Sequence, residues 1–275
     1  MKHILLPTDF SDNAWSAIIY TLKLYQYETC KFYLLNSQKV ASSRISSFSN
    51  KLLSTMLENA KKDVLQLKEQ LEATNTNSNH EFEVIVSLGD LDDAIESCVL
   101  KHKIDLIAMG TKGATGAKGV LFGSNTAKMF KKVKTCPILA IPNEYEYATP
   151  KQIAFPSDFN RYCDAKELDY LKNLADLHNS KIRVIHINEK GVLDEKQESN
   201  LNVLKEYLKA HDHSVHLIPS YTSKEASIND FIEELDVDIL AMVYYSHSFI
   251  DSILREPVIK KIAFNLKVPF MVIPE

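Results

Sequence analysis

The sequence predicts an α/β protein of two tandem domains, each built on a parallel sheet covered by helices on both faces. Three observations predict it. The 275 residues are about twice the ~150 of a common domain. The chain repeats itself: KHILLPTDF at Lys2–Phe10 returns as KQIAFPSDF at Lys151–Phe159. Lys31–Asn36 likewise matches Lys181–His186, Ile104–Met109 matches Val237–Met242, and Cys136–Pro142 matches Val268–Pro274, all in the same order. Within each copy, short apolar runs alternate with longer amphipathic ones, the pattern of strand–helix–strand units with right-handed crossovers. The domains are expected at residues 1–146 and 150–275, with the junction in a polar stretch that ends at Pro150.

In the first copy the apolar runs lie near residues 3–6, 32–36, 82–86, 104–109 and 138–141. They are rich in Ile, Leu and Val and scarcely alternate, as strands buried on both faces do. Helical patterns fall near 11–27, 51–74, 90–102 and 124–133. Ser11 or Asp12 can cap the first, and Gly89-Asp90 supplies a turn and a cap for the third. The second copy repeats the strands near 152–155, 182–187, 214–218, 238–243 and 270–273. Residues 38–50 are serine-rich and read as a surface loop or a lid before a long helix.

Composition narrows the function classes. A chain that is 45% hydrophobic and 25% charged is ordinary for a globular protein and unlike a disordered or collagenous one. Net charge −4 argues against nucleic acid as the main partner, because a phosphate-binding surface carries a basic excess. The part before Tyr147 holds 17 Lys+Arg against 16 Asp+Glu, and the rest 15 against 20, so a bound anion is sought in the first half. Cys30, Cys98, Cys136 and Cys163 form no CxxC pair and read as buried thiols of a reducing compartment. No apolar run approaches the ~18 residues of a membrane span. The start MKHILLPTDFSD is too briefly apolar for a signal peptide, so the cytoplasm is expected.

The glycines mark the site. The chain has only 7, and Gly110, Gly113, Gly116, Gly119 and Gly123 fall together, after the fourth strand and before a helix starting near Ser124. Glycine in regular structure costs about 0.5–1 kcal/mol relative to alanine, so this density implies positive φ or close approach by another group. A glycine-rich turn into a helix presents main-chain N–H groups and the positive end of the helix dipole, which is phosphate-binding chemistry. Thr111, Lys112, Ser124, Asn125 and Thr126 add side-chain donors. Neither GxxxxGK[ST] nor GxGxxG occurs. The plainer alternative is a solvated loop.

The spacing Gly110-x2-Gly113-x9-Gly123-Ser124 resembles the nucleotide-binding pattern of the universal stress protein family. Pro7-Thr8-Asp9, Gly89-Asp90 and Cys136-Pro137-Ile138-Leu139 support the resemblance, which extends over essentially the whole chain as a tandem pair. It implies a doubly wound five-stranded sheet in the order 3-2-1-4-5, and ATP or another adenine nucleotide as ligand, with Mg²⁺ or Mn²⁺. In that order strands one and four are neighbours whose crossovers diverge, a switch point where ligands bind beyond the strand carboxyl ends. By the resemblance Thr8 and Asp9 lie near the adenosine or a water-bridged metal, and the backbone near Leu35 and Asn36 meets the adenine. Met109, Gly110, Lys112, Gly113, Gly123, Ser124, Asn125 and Thr126 surround the nucleotide. Asp9 has an alternative role as a helix cap.

The second copy departs from the pattern. Val243 and Ser246 stand where Gly110 and Gly113 stand in the first, and Arg255 or Glu256 replaces Gly123. Glu256 repels an anion at the helix start and Pro257 has no N–H, although proline begins a helix well. One nucleotide per chain is therefore expected. The resemblance also implies pairing of the last strands of the two domains, Ile138–Ile141 with Phe270–Ile273, since an exposed edge is a template for pairing; homodimers are a further option. HxHxxH at His211, His213 and His216 offers metal ligands or simply a polar turn. Tyr244, Tyr245 and His247 line a different pocket or pack together. Lys128, Lys131, Lys132 and Lys134 read as a solvated helix face. No nucleophile–base pair stands out and no arginine finger is identifiable. Three functions compete: an ATP-binding stress-response sensor, a slow ATPase or self-phosphorylating protein with Ser124 and Thr126 as acceptors, and a nucleotide-free scaffold.

Overall fold

The computed structural model describes residues 1–39, 50–112, 122–188, 192–219, 223–245 and 267–275. The chain forms two compact units, one of Met1–Ala117 and Phe122–Glu144, the other containing Tyr145–Glu275. In the first, the described elements run β1 (Lys2–Pro7), α1 (Asp12–Leu24), β2 (Cys30–Gln38), α2 (Asn50–Thr74), β3 (His80–Leu88), α3 (Leu91–His102), β4 (Leu106–Gly110), α4 (Ser124–Lys132) and β5 (Ile138–Ile141). The strands are parallel in the order β3-β2-β1-β4-β5, as the family resemblance implies.

Successive residues Ile4, Leu5 and Leu6 are all fully buried. Side chains alternate across a strand, so both faces of β1 are covered. The α2 helix turns Ala60, Val64, Leu67 and Leu71 inward, a spacing that makes one stripe of a helix, and packs on β2 and β3. The α1 helix packs on β4 and β5, and α3 on β1 and β2. Right-handed crossovers account for the two faces, because the direction of travel along the sheet reverses after β3.

Local signals set the ends. Ser11 caps α1 by accepting from Ala14 N at 3.2 Å, and α1 stops at Leu24, a few residues before the expected end near residue 27. Gly89 takes φ 127° between β3 and α3. Asp90 sits at the N-cap of α3 but makes no capping bond there; its carboxylate pairs with Lys39 at 3.4 Å. Lys103 closes α3 in the left-handed conformation, φ 51°.

The second unit has β6 (Gln152–Pro156), α5 (Ala165–Asp176), β7 (Lys181–Asn188), α6 (Glu195–Leu208), β8 (His213–Pro219), α7 (Lys224–Glu234), β9 (Ile239–Tyr244) and β10 (Phe270–Pro274). Its parallel order, β8-β7-β6-β9-β10, repeats that of the first. Asp164 and Asp194 open α5 and α6 with capping boxes completed by Glu167 and Gln197, each satisfying two orphan donors. Among the described residues no helix is long and apolar enough to cross a membrane.

Candidate functional site

The carboxyl ends of β1, β2 and β4 meet in the first unit, and three short hydrogen-bonded connections set their geometry. At β1, Thr8 N donates to Leu35 O at 2.8 Å, extending the ladder one residue past the strand. Asn36 Nδ2 donates to Thr8 O at 2.8 Å. Thr8 Oγ1 then accepts from Phe10 N at 3.1 Å, and the chain turns with Phe10 at φ 62°. The Asp9 carboxylate is exposed, and its Oδ1 accepts from Ser11 N at 3.1 Å and Ser11 Oγ at 2.6 Å. Asp9 thus holds the residue that caps α1 instead of capping it directly.

Asn13, in the first turn of α1, ties this corner to β4 and β5. Its Oδ1 accepts from Lys112 N at 2.8 Å and its Nδ2 donates to Ile141 O at 3.2 Å. The same side chain explains Gly110. A Cβ at Gly110 would lie 2.5 Å from Asn13 Oδ1 and 3.0 Å from Asn13 O, closer than any side chain tolerates. Gly110 is therefore required by packing against α1, a local reason distinct from ligand approach.

Beyond β4, Thr111 N donates to Ile141 O at 2.9 Å and Gly123 N to Thr111 O at 2.7 Å. This brings the start of α4 back beside the strand it follows. Gly123 is the N-cap of α4 and makes no side-chain capping bond. Four other helices, α1, α5, α6 and α7, are capped by the side chains of Ser11, Asp164, Asp194 and Ser223. The first turn of α4 thus keeps main-chain N–H groups that no cap side chain serves. Ser124 and Asn125 are exposed there. Thr126 is not: it is buried, and its hydroxyl donates to Gly110 O at 2.9 Å. Thr126 therefore serves as a brace between α4 and β4, and of the two expected phosphate acceptors only Ser124 faces solvent.

Of the residues the sequence nominates, Thr8, Asp9, Leu35, Met109, Gly110, Lys112 and Gly123 lie in the carboxyl-terminal halves of the strands or in the turns beyond them, and Ser124, Asn125 and Thr126 form the first turn of α4. Leu35 and Met109 are buried strand residues, so their neighbourhood offers main chain more than side chain. Gly113, Gly116 and Gly119 lie outside the described residues, as does most of the 38–50 loop. Asn13 and the side chain of Asn36, both buried, do structural work at this corner that the sequence reading did not assign. The signal for Asn36 was present: a polar residue stands at the matching place of both copies, as Asn36 and as His186.

The α4 lysines are exposed, as expected, and two of them have a partner that the sequence reading did not assign. Lys128 pairs with Asp92 Oδ1 at 2.8 Å, and Lys132 pairs with Asp92 Oδ2. Asp92 is buried in the first turn of α3. Hydrogen bonds from Lys128 and Lys132 hold its carboxyl down at about 2, below the usual 3.8. Lys128 and Lys132 thus stay on an exposed face, as expected, and also tie α4 to α3.

The matching corner of the second unit is built from the same turn and then filled. Ser157, Asp158 and Phe159 repeat the geometry: Ser157 N donates to Ile185 O at 2.8 Å, Ser157 Oγ accepts from Phe159 N at 3.2 Å, and Phe159 has φ 55°. Phe159, however, is buried and stacks on His186, with ring centroids 4.8 Å apart and planes at 15°. Gln197 and Asn200 of α6 donate to the carbonyls of Asp158 and Phe159 at 2.9 and 2.7 Å. Arg161 pairs with buried Glu167 and lies 4.9 Å from the centroid of the Tyr245 ring. The Tyr245 hydroxyl donates to Asp158 Oδ2 at 3.4 Å. Burial, with Asp158 close by, pushes that hydroxyl up to about 12. Ser246, His247, Arg255, Glu256 and Pro257 lie outside the described residues.

The histidines of the second unit diverge. His211 pairs with Asp176 at 2.9 Å, the His213 ring lies 3.0 Å from His211 O, and the His216 ring 2.7 Å from Ser214 Oγ. Among the described residues no group of three His, Cys, Asp or Glu side chains is placed to hold a metal ion.

The relatives of this chain agree with the fold and the repeat. Residues 1–142 match the model of the Universal stress protein family. The universal stress protein MJ0577 of Methanocaldococcus jannaschii is 30% identical over 159 residues, which are 51% of this chain and 94% of that protein. A universal stress protein of Archaeoglobus fulgidus superposes with a TM-score of 0.72 at 20% identity, covering 99% of this chain and 96% of its own. A functionally unknown protein of Pseudomonas aeruginosa, PA1789, superposes with a TM-score of 0.60 at 13% identity, covering 100% and 92%. With its family-model match, its relative and its doubly wound repeat, this chain belongs to the universal stress protein family.

Proposed function

We propose that the first unit binds one adenine nucleotide, ATP in the first instance, at the carboxyl ends of β1 and β4, and that the chain acts as a cytoplasmic stress-response sensor of that nucleotide. The observation that carries this reading is the start of α4. Its first-turn N–H groups lack a side-chain cap and stand at the switch point of a doubly wound sheet, where an anion is the chemistry that completes them. The residues present fit a phosphate: Ser124 and Asn125 are exposed donors in that turn, and Lys112 follows the Gly110 turn. Gly113 and Gly123 would let main chain approach the phosphates. Thr8, Asp9 and the main chain of Leu35, Met109 and Gly110 would bound the nucleoside. Mg²⁺ or Mn²⁺ would arrive on the phosphates, with Asp9 as the nearest carboxylate to contribute through water.

The second unit has no part in this binding. Phe159, Arg161 and Tyr245 make their own contacts at its matching corner, and Val243 stands where Gly110 stands in the first copy, which supports one nucleotide per chain. Titration calorimetry with ATP and Mg²⁺, combined with native mass spectrometry, tests the reading. One nucleotide per chain supports it; no binding, or two equivalent sites, overturns it. A multiple-turnover phosphate-release assay on the same sample separates a sensor from a slow ATPase.

A further inference from the structure

A groove of about 310 Å³ opens between α1 and α2 of the first unit, beside the turn that leaves β1. Phe10 and Trp15 bring aromatic rings to it, Asp12 and Asp63 bring carboxylates, and Gln66 and Gln70 bring amides. No basic side chain lines it among the described residues. Neither Asp12 nor Asp63 is in an ion pair among the described residues, although 32 Lys and Arg are available in the chain. The volume is at the lower end for a small-molecule site.

The repeat provides an internal comparison. Phe10 and Phe159 occupy the same left-handed turn, at φ 62° and 55°, a conformation that costs a bulky residue strain. In the second unit the ring is consumed: Phe159 is 1% exposed and stacked on His186. In the first, Asn36 stands in place of His186, and Phe10 is 44% exposed at the groove. Trp15 is 37% exposed beside it. The first unit thus spends the same strained turn on presenting an aromatic face next to two carboxylates that have no cationic partner among the described residues.

The geometry points to a binding site for a small organic cation with a flat or apolar body, such as an aryl amidine or arylalkyl amine. Aromatic faces attract a cation through the ring quadrupole, the carboxylates supply charge, and the glutamine amides supply acceptors for its N–H groups. Thr8 and Ser11 also line the groove, so it adjoins the proposed nucleotide site at Thr8, but its aromatic and acidic groups lie outside that site and test separately.

Trp15 is the single tryptophan, so its fluorescence reports the groove alone. The probe is benzamidine, titrated into the full chain, with benzamide as the neutral control of the same shape. Saturable change with benzamidine is expected, with affinity about tenfold above that for benzamide. The Asp12→Asn/Asp63→Asn double variant should lose that preference while its circular dichroism and melting stay those of the parent. Equal response to the two compounds, no response to benzamidine, or an unchanged preference in a folded double variant would each overturn the proposal. Gly123→Val serves as the cross-check: it should impair ATP binding and leave the benzamidine titration unaltered.

Discussion

Replacing Gly110 by alanine tests the packing that fixes the β1–β4 corner. The new Cβ would stand 2.5 Å from Asn13 Oδ1, 2.6 Å from Asn13 Cγ and 3.0 Å from Asn13 O. The side chain must swing away, because overlap of this size is not absorbed by a few tenths of an ångström. Overpacking of a tight site costs about 1–3 kcal/mol. In moving, Asn13 also gives up its bonds to Lys112 N and Ile141 O, and each buried group left unsatisfied costs a further ~1–3 kcal/mol. Water can reach half-buried Lys112, which reduces that share. The expected destabilisation is about 2–4 kcal/mol, or roughly 5–12 °C in the melting of a unit of this size. A double-mutant cycle isolates the cause. In an Asn13→Ala background the side chain that blocks the Cβ is gone, and alanine also restricts the unfolded chain by about 0.4–1 kcal/mol. Gly110→Ala should then cost under about 1 kcal/mol, giving a coupling of at least ~1 kcal/mol. Urea denaturation of the four proteins, followed by circular dichroism, measures it. The same cost in both backgrounds, within ~0.5 kcal/mol, would refute the assignment of Gly110 to Asn13.

Three further outcomes follow from the charges and the core. Asp92→Asn removes the carboxylate that docks Lys128 and Lys132. The depression from 3.8 to about 2, at ~1.4 kcal/mol per unit, bounds the contribution near ~2 kcal/mol, and screening at the half-exposed lysines reduces it to about 1 kcal/mol. Because the folded pKa is the lower one, this stability is present above about pH 4 and is lost as pH falls from 4 towards 2; acid denaturation of the variant should lack that segment. His80 acts in the same sense, in a higher pH window. Burial lowers its pKa from 6.5, with Asn75 Nδ2 at 2.9 Å from Nδ1 and Tyr25 O at 3.1 Å from Nε2. The unfolded chain takes up the proton more readily, so stability is held above pH ~6.5 and declines as pH falls below it. His80→Gln should flatten that decline in denaturation curves between about pH 7.5 and about pH 5; an unaltered slope would assign the decline elsewhere. Phe159→Ala empties a fully buried ring site, and a loss of about 3–5 kcal/mol is expected in the second unit. ATP stoichiometry should remain one per chain, as calorimetry would show; a gain to two would mean that Phe159 alone closes the second corner.

The sequence by itself determined the repeat, the strand–helix order and the place of the glycine cluster, because these depend on local patterning. Ile4, Leu5 and Leu6 read as buried on both faces, and they are. A serine ahead of α1 reads as a cap, and Ser11 is one. Tertiary structure decided what those positions are for. Gly110 reads as a glycine kept for a ligand, and only the folded chain shows that Asn13, far away in the sequence, also requires it. Thr126 looks like an exposed hydroxyl until α4 folds back on β4. Lys128 and Lys132 read as a solvated face and are exposed, but only the folded chain shows that Asp92 of α3 pairs with both. Phe10 and Phe159 share one local turn and part ways where β2 carries Asn36 and β7 carries His186 at the matching place. In each case the deciding partner comes from a distant element. Such a contact leaves no period and no spacing in the chain, so only the assembled sheet could place it.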